Sequence, residues 1–267
     1  MNKKQVVSCA IMLIALVISK VFIYGTPVST ANKFEHVEVI EQAIEQHNKD
    51  EFYASLSFAN ETLPMEEKKV ERRINRVLAN FSFSKLGTHK LHTLSESWFK
   101  TIEPILEKHG IPEDFKYVPL VESGVRQGVS SKGATGYWQF MPNTARRYGL
   151  TINDAIDERK DLAKSTEAAC RYIKDLHRQF GSWTLAAAAY NVGEGSLMRS
   201  IKSQKQDNYY LLSLNSETSA YIYRIVSMKE IIEHPAQYGY RAPGKEMLAS
   251  NSEEKEEKEV NLFTAFF

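Results

Sequence analysis

One carboxylate in this chain is placed to do acid chemistry. Glu122 closes the apolar run Phe115-Lys116-Tyr117-Val118-Pro119-Leu120-Val121, and the segment Ser123-Gly124-Val125-Arg126-Gln127-Gly128 follows at once. If residues 113–123 are helical, Phe115, Val118 and Pro119 precede Glu122 by seven, four and three positions and share its face. A carboxylate among such neighbours is poorly solvated and holds its proton more tightly. That is the state a general acid needs near neutral pH. Taken alone, Glu122 reads equally as an acidic helix end beside a glycine-rich turn. Downstream stand groups of a different kind: the serines Ser130 and Ser131, then Gln139, Tyr190, Asn191 and Tyr221, all uncharged hydrogen-bonding groups, with Trp138 and Met141 beside Gln139. Trp138 and Met141 are read as an apolar wall that desolvates Glu122.

Other chemistries find little support. Seven histidines and few cysteines yield no metal-ligand cluster, since His89 and His92 are close in sequence but lack further ligands. There is no nucleotide-binding loop and no Ser-His-Asp arrangement. Cys170 has no intramolecular disulfide partner once the N-terminal segment is set aside, and it reads as a small buried residue on a helix.

The elements that must position these groups read almost entirely as helices. Residues 35–48 and 65–80 form a charged amphipathic preface, the second marked by Val70, Ile74, Val77 and Leu78. A helix over 96–109 stops at Gly110, and Pro112 opens the next with Glu113 and Asp114 in its first turn. Pro119 inside that helix should bend it near Glu122. Residues 124–136 are a Gly- and Ser-rich loop. Helices follow at about 137–148, 163–180, 182–190, 194–203 and 216–232. Asp154, Asp157, Glu158 and Asp161 read as a surface turn and helix cap, and Glu194 as a negative charge starting a helix after Gly193.

The ends of the chain differ from its middle. Lys3 and Lys4 precede an apolar stretch from Val6 to Val17, and small residues occur at Ser29-Thr30-Ala31, so residues 1–31 read as an export signal or an N-terminal membrane anchor. With Lys3, Lys4 and Lys20 set aside, 31 basic residues face 33 acidic ones, so no basic stripe argues for nucleic acid. Residues 32–95 form a helical N-terminal extension, 96–240 the main domain, and 241–267 a charged tail expected to be disordered.

At residues 119–150 the pattern becomes specific. It runs Pro119-Leu-Val-Glu122-Ser123-Gly124, then Val129-Ser130-Ser131-Lys-Gly133-Ala134-Thr-Gly136-Tyr-Trp138-Gln139-Phe-Met141-Pro142-Asn-Thr144-Ala145, then Tyr148-Gly149-Leu150. A second block reads Phe180-Gly181-Ser-Trp183-Thr-Leu185-Ala-Ala-Ala-Ala189-Tyr190-Asn191-Val-Gly193-Glu194-Gly195, a third Glu217-Thr218-Ser-Ala-Tyr221, and a fourth His234-Pro235-Ala-Gln-Tyr238-Gly239-Tyr240. In this order they resemble the lytic transglycosylase SLT domain of the lysozyme-like superfamily, closest to the membrane-bound lytic transglycosylase D type but without LysM repeats. The resemblance spans about residues 65–240.

That resemblance implies an all-α, lysozyme-like fold with an N-terminal helical extension. It implies cleavage of the β-1,4 bond between N-acetylmuramic acid and N-acetylglucosamine in peptidoglycan, with Glu122 as the single general acid and base and no cofactor or metal. Glycosidases ordinarily use two carboxyl groups, and the motifs are read as supplying only one. In the family the substrate's N-acetyl group and C6 hydroxyl replace the second, leaving 1,6-anhydromuramoyl ends. Ser130, Ser131, Gln139, Met141, Tyr190, Asn191 and Tyr221 would line the substrate cleft; Asn191 reads equally as holding the turn into the next helix, and Tyr221 as core. Two departures stand out: Arg126-Gln127 replaces the family's Asn-rich segment, and the interval from Glu122 to Gln139 is one residue short. Ser130 and Ser131 therefore compete for the place of the serine that contacts the catalytic carboxyl. The implied partner is the peptidoglycan glycan strand, the implied location exported, periplasmic or envelope-membrane associated. A hydrolytic muramidase of the goose type and a non-catalytic peptidoglycan-binding scaffold are the alternatives.

Overall fold

The computed structural model describes residues 45–87, 89–123 and 133–240. Residues 1–44 and 241–267, which hold the N-terminal signal or anchor and the charged tail, lie outside the described residues, as do Ser130 and Ser131. The chain divides into Met1–Phe52 and Tyr53–Phe267. The described part of the first unit, residues 45–52, is helical and carries a Gln46–Asp50 hydrogen bond of 2.7 Å one turn apart.

In the second unit a two-residue hairpin comes first. β1 (Ser57–Phe58) and β2 (Glu61–Thr62) pair antiparallel around Ala59-Asn60, both at positive φ, 52° and 64°. Such a turn suits the strand twist but strains an alanine. It is held by Asp114, whose carboxylate accepts from the Ala59 N–H at 2.7 Å.

α1 (Lys68–Phe81) buries Val70, Ile74, Leu78 and Phe81, a stripe spaced by fours and threes, and turns its lysines and arginines outward. After the short α2 (Phe83–Leu86), α3 (Lys90–His109) buries Leu91, Ser95, Trp98, Ile102 and Leu106 and ends where expected at Gly110, whose φ of 63° accommodates the left-handed cap. Pro104 falls on its exposed side, where a lost backbone bond faces water. The helix runs unbroken through residue 96, and α1 packs on the last long helix, so residues from Tyr53 onward share one core.

The segment before Glu122 differs from a single bent helix. Glu113–Tyr117 is a 3-10 helix, and α4 (Val118–Ser123) starts anew from it. Pro119 thus stands in the first turn of a helix, where its missing N–H costs nothing, and does not bend one. The helix expected over 137–148 is also shorter. Thr135 and Phe140 form a bridge around a turn, and α5 (Pro142–Arg147) begins only at the proline. Gly133, Gly136 and Gln139 all take positive φ, which a helix excludes.

The remaining helices fall close to expectation. They are α6 (Leu162–Phe180), α7 (Trp183–Val192), α8 (Glu194–Gln204) and α9 (Ser216–Glu233). α7 is buried continuously from Thr184 to Ala189, and α9 over most of its girth, so these two form the centre. α3 and α7 pack on α6, and α1 and α7 pack on α9. The fold is all-α apart from the hairpin and isolated bridges, the lysozyme-like class that the motifs implied. Among the described residues no helix is long and apolar enough to cross a membrane.

Candidate active site

α4 is pinned from behind by Phe115, Tyr117, Val118 and Leu120, none more than 1% exposed. Glu122, on its last turn, is half-buried. Burial pushes its carboxyl up to about 7; the charge of Glu217 adds to this, while a hydrogen bond from Tyr221 and the charge of Arg224 oppose it. The Tyr221 phenol donates to Glu122 Oε1 at 2.5 Å. Tyr221 is 1% exposed, and burial followed by the Glu122 charge holds its own proton far above the usual phenol range, so it remains a donor. Core packing and contact with the carboxylate, two readings left open for Tyr221, are both realised.

Tyr190, on the last turn of α7, feels the same charge: burial first, then Glu122, hold its phenol protonated. Its hydroxyl donates to the Trp138 carbonyl at 2.7 Å. Trp138 is fully buried and donates from Nε1 to Thr166 of α6 at 2.9 Å. Gln139 follows at φ 46°, with Nε2 donating to the Gly136 carbonyl at 2.8 Å. Met141 does not line a buried wall with Trp138: it is 43% exposed, at the cap of α5. The difference arises because the 136–139 turn reverses the chain between them.

Asn191 is engaged at both ends of its amide. Nδ2 donates to Glu217 at 3.2 Å, and Oδ1 accepts from the Thr218 hydroxyl at 2.8 Å. It joins the end of α7 to the start of α9, which is a different junction from the α7–α8 turn considered from sequence.

The reading of a single carboxylate needs correction. Glu217 stands close enough to Glu122 to raise its pKa, and Arg224 close enough to lower it. Glu217, Tyr221 and Arg224 recur at four and three residues along α9, a spacing that could have identified the charged face from sequence. Glu194 is elsewhere, in the first turn of α8 and paired with Arg147 at 3.3 Å. Asp157 and Asp161 act as caps, as read from sequence, accepting from the N–H groups of Arg159 and Lys164. Arg159 was not singled out, and nothing in its spacing marks it. Cys170 is fully buried, and its thiol is pushed up to about 12 by burial.

A carboxyl group that stays protonated near neutral pH, with a fixed phenol on one oxygen, can give up a proton and take one back. Comparison with known proteins agrees with the motifs. Residues 101–213 match the family described as Transglycosylase SLT domain. The chain is 31% identical over 184 residues to the membrane-bound lytic murein transglycosylase D of Escherichia coli (strain K12), covering 67% of this chain and 40% of that protein. It is 34% identical over 128 residues to a putative tributyltin chloride resistance protein of Alteromonas sp. (strain M-1), covering 44% of this chain and 62% of that protein. The chain thus spans well under half the length of the first and less than two thirds of the second. Tyr221 and Glu217 lie beyond the family match, whereas Glu122, Gln139, Tyr190 and Asn191 lie within it. Residues 101–213 therefore belong to the transglycosylase SLT domain family, and the chain carries that domain as the main part of its core.

Proposed function

We propose that the chain is a peptidoglycan lytic transglycosylase that cleaves the β-1,4 bond between N-acetylmuramic acid and N-acetylglucosamine. The observation that carries this reading is Glu122: a carboxyl raised to about 7 by burial, in a matched SLT domain, with the Tyr221 phenol on Oε1. Protonated Glu122 gives its proton to the glycosidic oxygen as the bond from C1 of the muramoyl residue to that oxygen breaks. The substrate's N-acetyl oxygen supports the positive centre at C1. The carboxylate, held by Tyr221, then takes the proton of the C6 hydroxyl as O6 bonds to C1, giving a 1,6-anhydromuramoyl end and restoring the acid. Gln139, Tyr190, Met141 and one of Ser130 and Ser131 are the residues assigned to the glycan. Asn191 acts through Glu217 and Thr218.

The glycan strands of the cell envelope are the partner in this reading, and residues 1–31 serve export or membrane attachment. A relative whose name places it on the membrane supports that location.

Mass spectrometry of purified sacculi digested by wild type and by Glu122→Gln tests the proposal. Anhydromuramoyl products from wild type alone are expected, and equal behaviour of the two proteins overturns it. The field of Glu217 at Glu122 favours a second reading, a hydrolytic muramidase in which Glu217 helps a water attack. Predominantly hydrated reducing ends decide for that reading.

A further inference from the structure

Arg159 is 7% exposed and takes no part in the chemistry proposed above. It stands in the 3-10 turn Glu158–Lys160, just ahead of α6. Asp157 grips it as a fork: Nε donates to Oδ1 and Nη2 to Oδ2, both at 2.8 Å. With the guanidinium plane so fixed, Nη1 is aimed at two carbonyls, those of Gly133 at 2.9 Å and Phe140 at 3.0 Å. These are the two ends of the segment that carries Trp138 and Gln139. The backbone of Arg159 presses on the same segment: a Cβ on Gly136 would lie 1.8 Å from the Arg159 carbonyl oxygen. Only glycine fits there, both for space and for its φ of 82°.

The segment needs such a hold. Gln139 occupies the left-handed region at φ 46°, a conformation costing an ordinary residue about 1–2 kcal/mol and kept only where the surroundings impose it. One backbone bond, Thr135 N–H to Phe140 at 3.2 Å, closes the turn from within. Tyr190 ties its middle to the surroundings of Glu122 through the Trp138 carbonyl. A buried ion pair is no better for stability than apolar residues of the same volume. What Arg159 adds is directional: a rigid fork that sets two carbonyls at one separation.

We infer that Arg159 is a positioning residue, which through the carbonyls of Gly133 and Phe140 sets the 133–140 turn and so presents Gln139 to the glycan beside Glu122. This rests on the glycan-cleaving function proposed above. Arg159→Lys in the full chain tests it, because lysine keeps the charge for Asp157 but cannot bond to both carbonyls while paired. The expected result is a folded protein whose kcat/KM on soluble glycan strands falls about 100-fold, mostly through KM, as misplacement of a positioning group predicts. The alkaline limb of its pH profile stays where wild type has it, and the NMR resonances of the Gln139 side-chain amide and the Trp138 indole N–H move. Gly136→Ala, pushing on the turn from the other side, moves the same two resonances. Wild-type kcat/KM in Arg159→Lys overturns the inference, as does a loss of activity that follows the folded fraction with both resonances in place. The resonances need no turnover: a wild type that leaves glycan uncut defeats the proposed function, while they still decide the role of Arg159 in the turn.

Discussion

The phenol of Tyr221 meets Oε1 of Glu122 at 2.5 Å across 99 residues of sequence. Each residue is set by a different helix, α4 and α9, and each is backed by buried side chains. The contact makes α9 a part of the site although it lies beyond the stretch matched to the family. It also gives the carboxyl group a fixed donor whose own proton burial retains.

The raised pKa of Glu122 carries a cost in stability. Its folded value of about 7 lies above the ordinary 4.5, so the folded chain holds a proton that the unfolded chain releases between these values. Stability owed to this group therefore falls as pH rises from about 4.5 to about 7 and is level above, the whole change being roughly 3 kcal/mol. Glu122→Gln cannot ionise and is expected to be more stable than wild type near pH 8 but similar near pH 4. Urea denaturation at the two pH values checks this; an equal difference at both would rule out the ionisation as its source.

Activity should follow the same group from the other side. As the acid form starts the reaction, kcat/KM falls as pH rises through about 7. The hydrogen bond from Tyr221 lowers that pKa, so Tyr221→Phe moves the alkaline limb to higher pH and reduces kcat about tenfold. A pH–rate profile with an unmoved limb would show that the phenol has no hold on the carboxyl.

Glu61 links the hairpin to α7. Its carboxylate accepts from the Ser182 hydroxyl at 2.8 Å, the Trp183 N–H at 2.7 Å and the Thr184 N–H at 2.9 Å. Burial acts to raise its pKa, but the donors of Thr184, Ser182 and Trp183 together outweigh burial and hold the carboxyl below the ordinary range. That stability is present above about pH 4.5 and is lost as pH falls through the lower, folded value. Glu61→Ala leaves two N–H groups at a helix start without this acceptor and should cost about 1–3 kcal/mol at neutral pH. Denaturation of the variant and wild type should converge in acid.

Asn191→Leu removes both bonds between α7 and α9 and leaves the Thr218 hydroxyl, 1% exposed, without its acceptor. The expected loss is about 1–2 kcal/mol of stability, with KM for glycan changed little. A large rise in KM at unchanged stability would make Asn191 a direct substrate contact.

Much of the architecture was legible along the chain. The stripe Val70, Ile74, Leu78 and the stop at Gly110 mark helices because spacing and capping are local properties. The two misread helices have local reasons as well. Pro119 is compatible with a bend or with a first turn, and sequence does not distinguish them. The stretch after Gly136 has helical composition, but its left-handed backbone is imposed by Arg159 and Tyr190 from elsewhere.

By itself, the sequence determined the order of helices, the apolar approach to Glu122 and the motifs that single out Gln139, Tyr190 and Asn191 as candidates. Only the tertiary structure decided what surrounds Glu122: Tyr221 on its oxygen, Glu217 and Arg224 in its field, Met141 out on the surface and Arg159 behind the turn. The physical reason is that helical periodicity is settled within a few residues. The solvation and charge of a side chain depend instead on whatever distant segments packing brings against it.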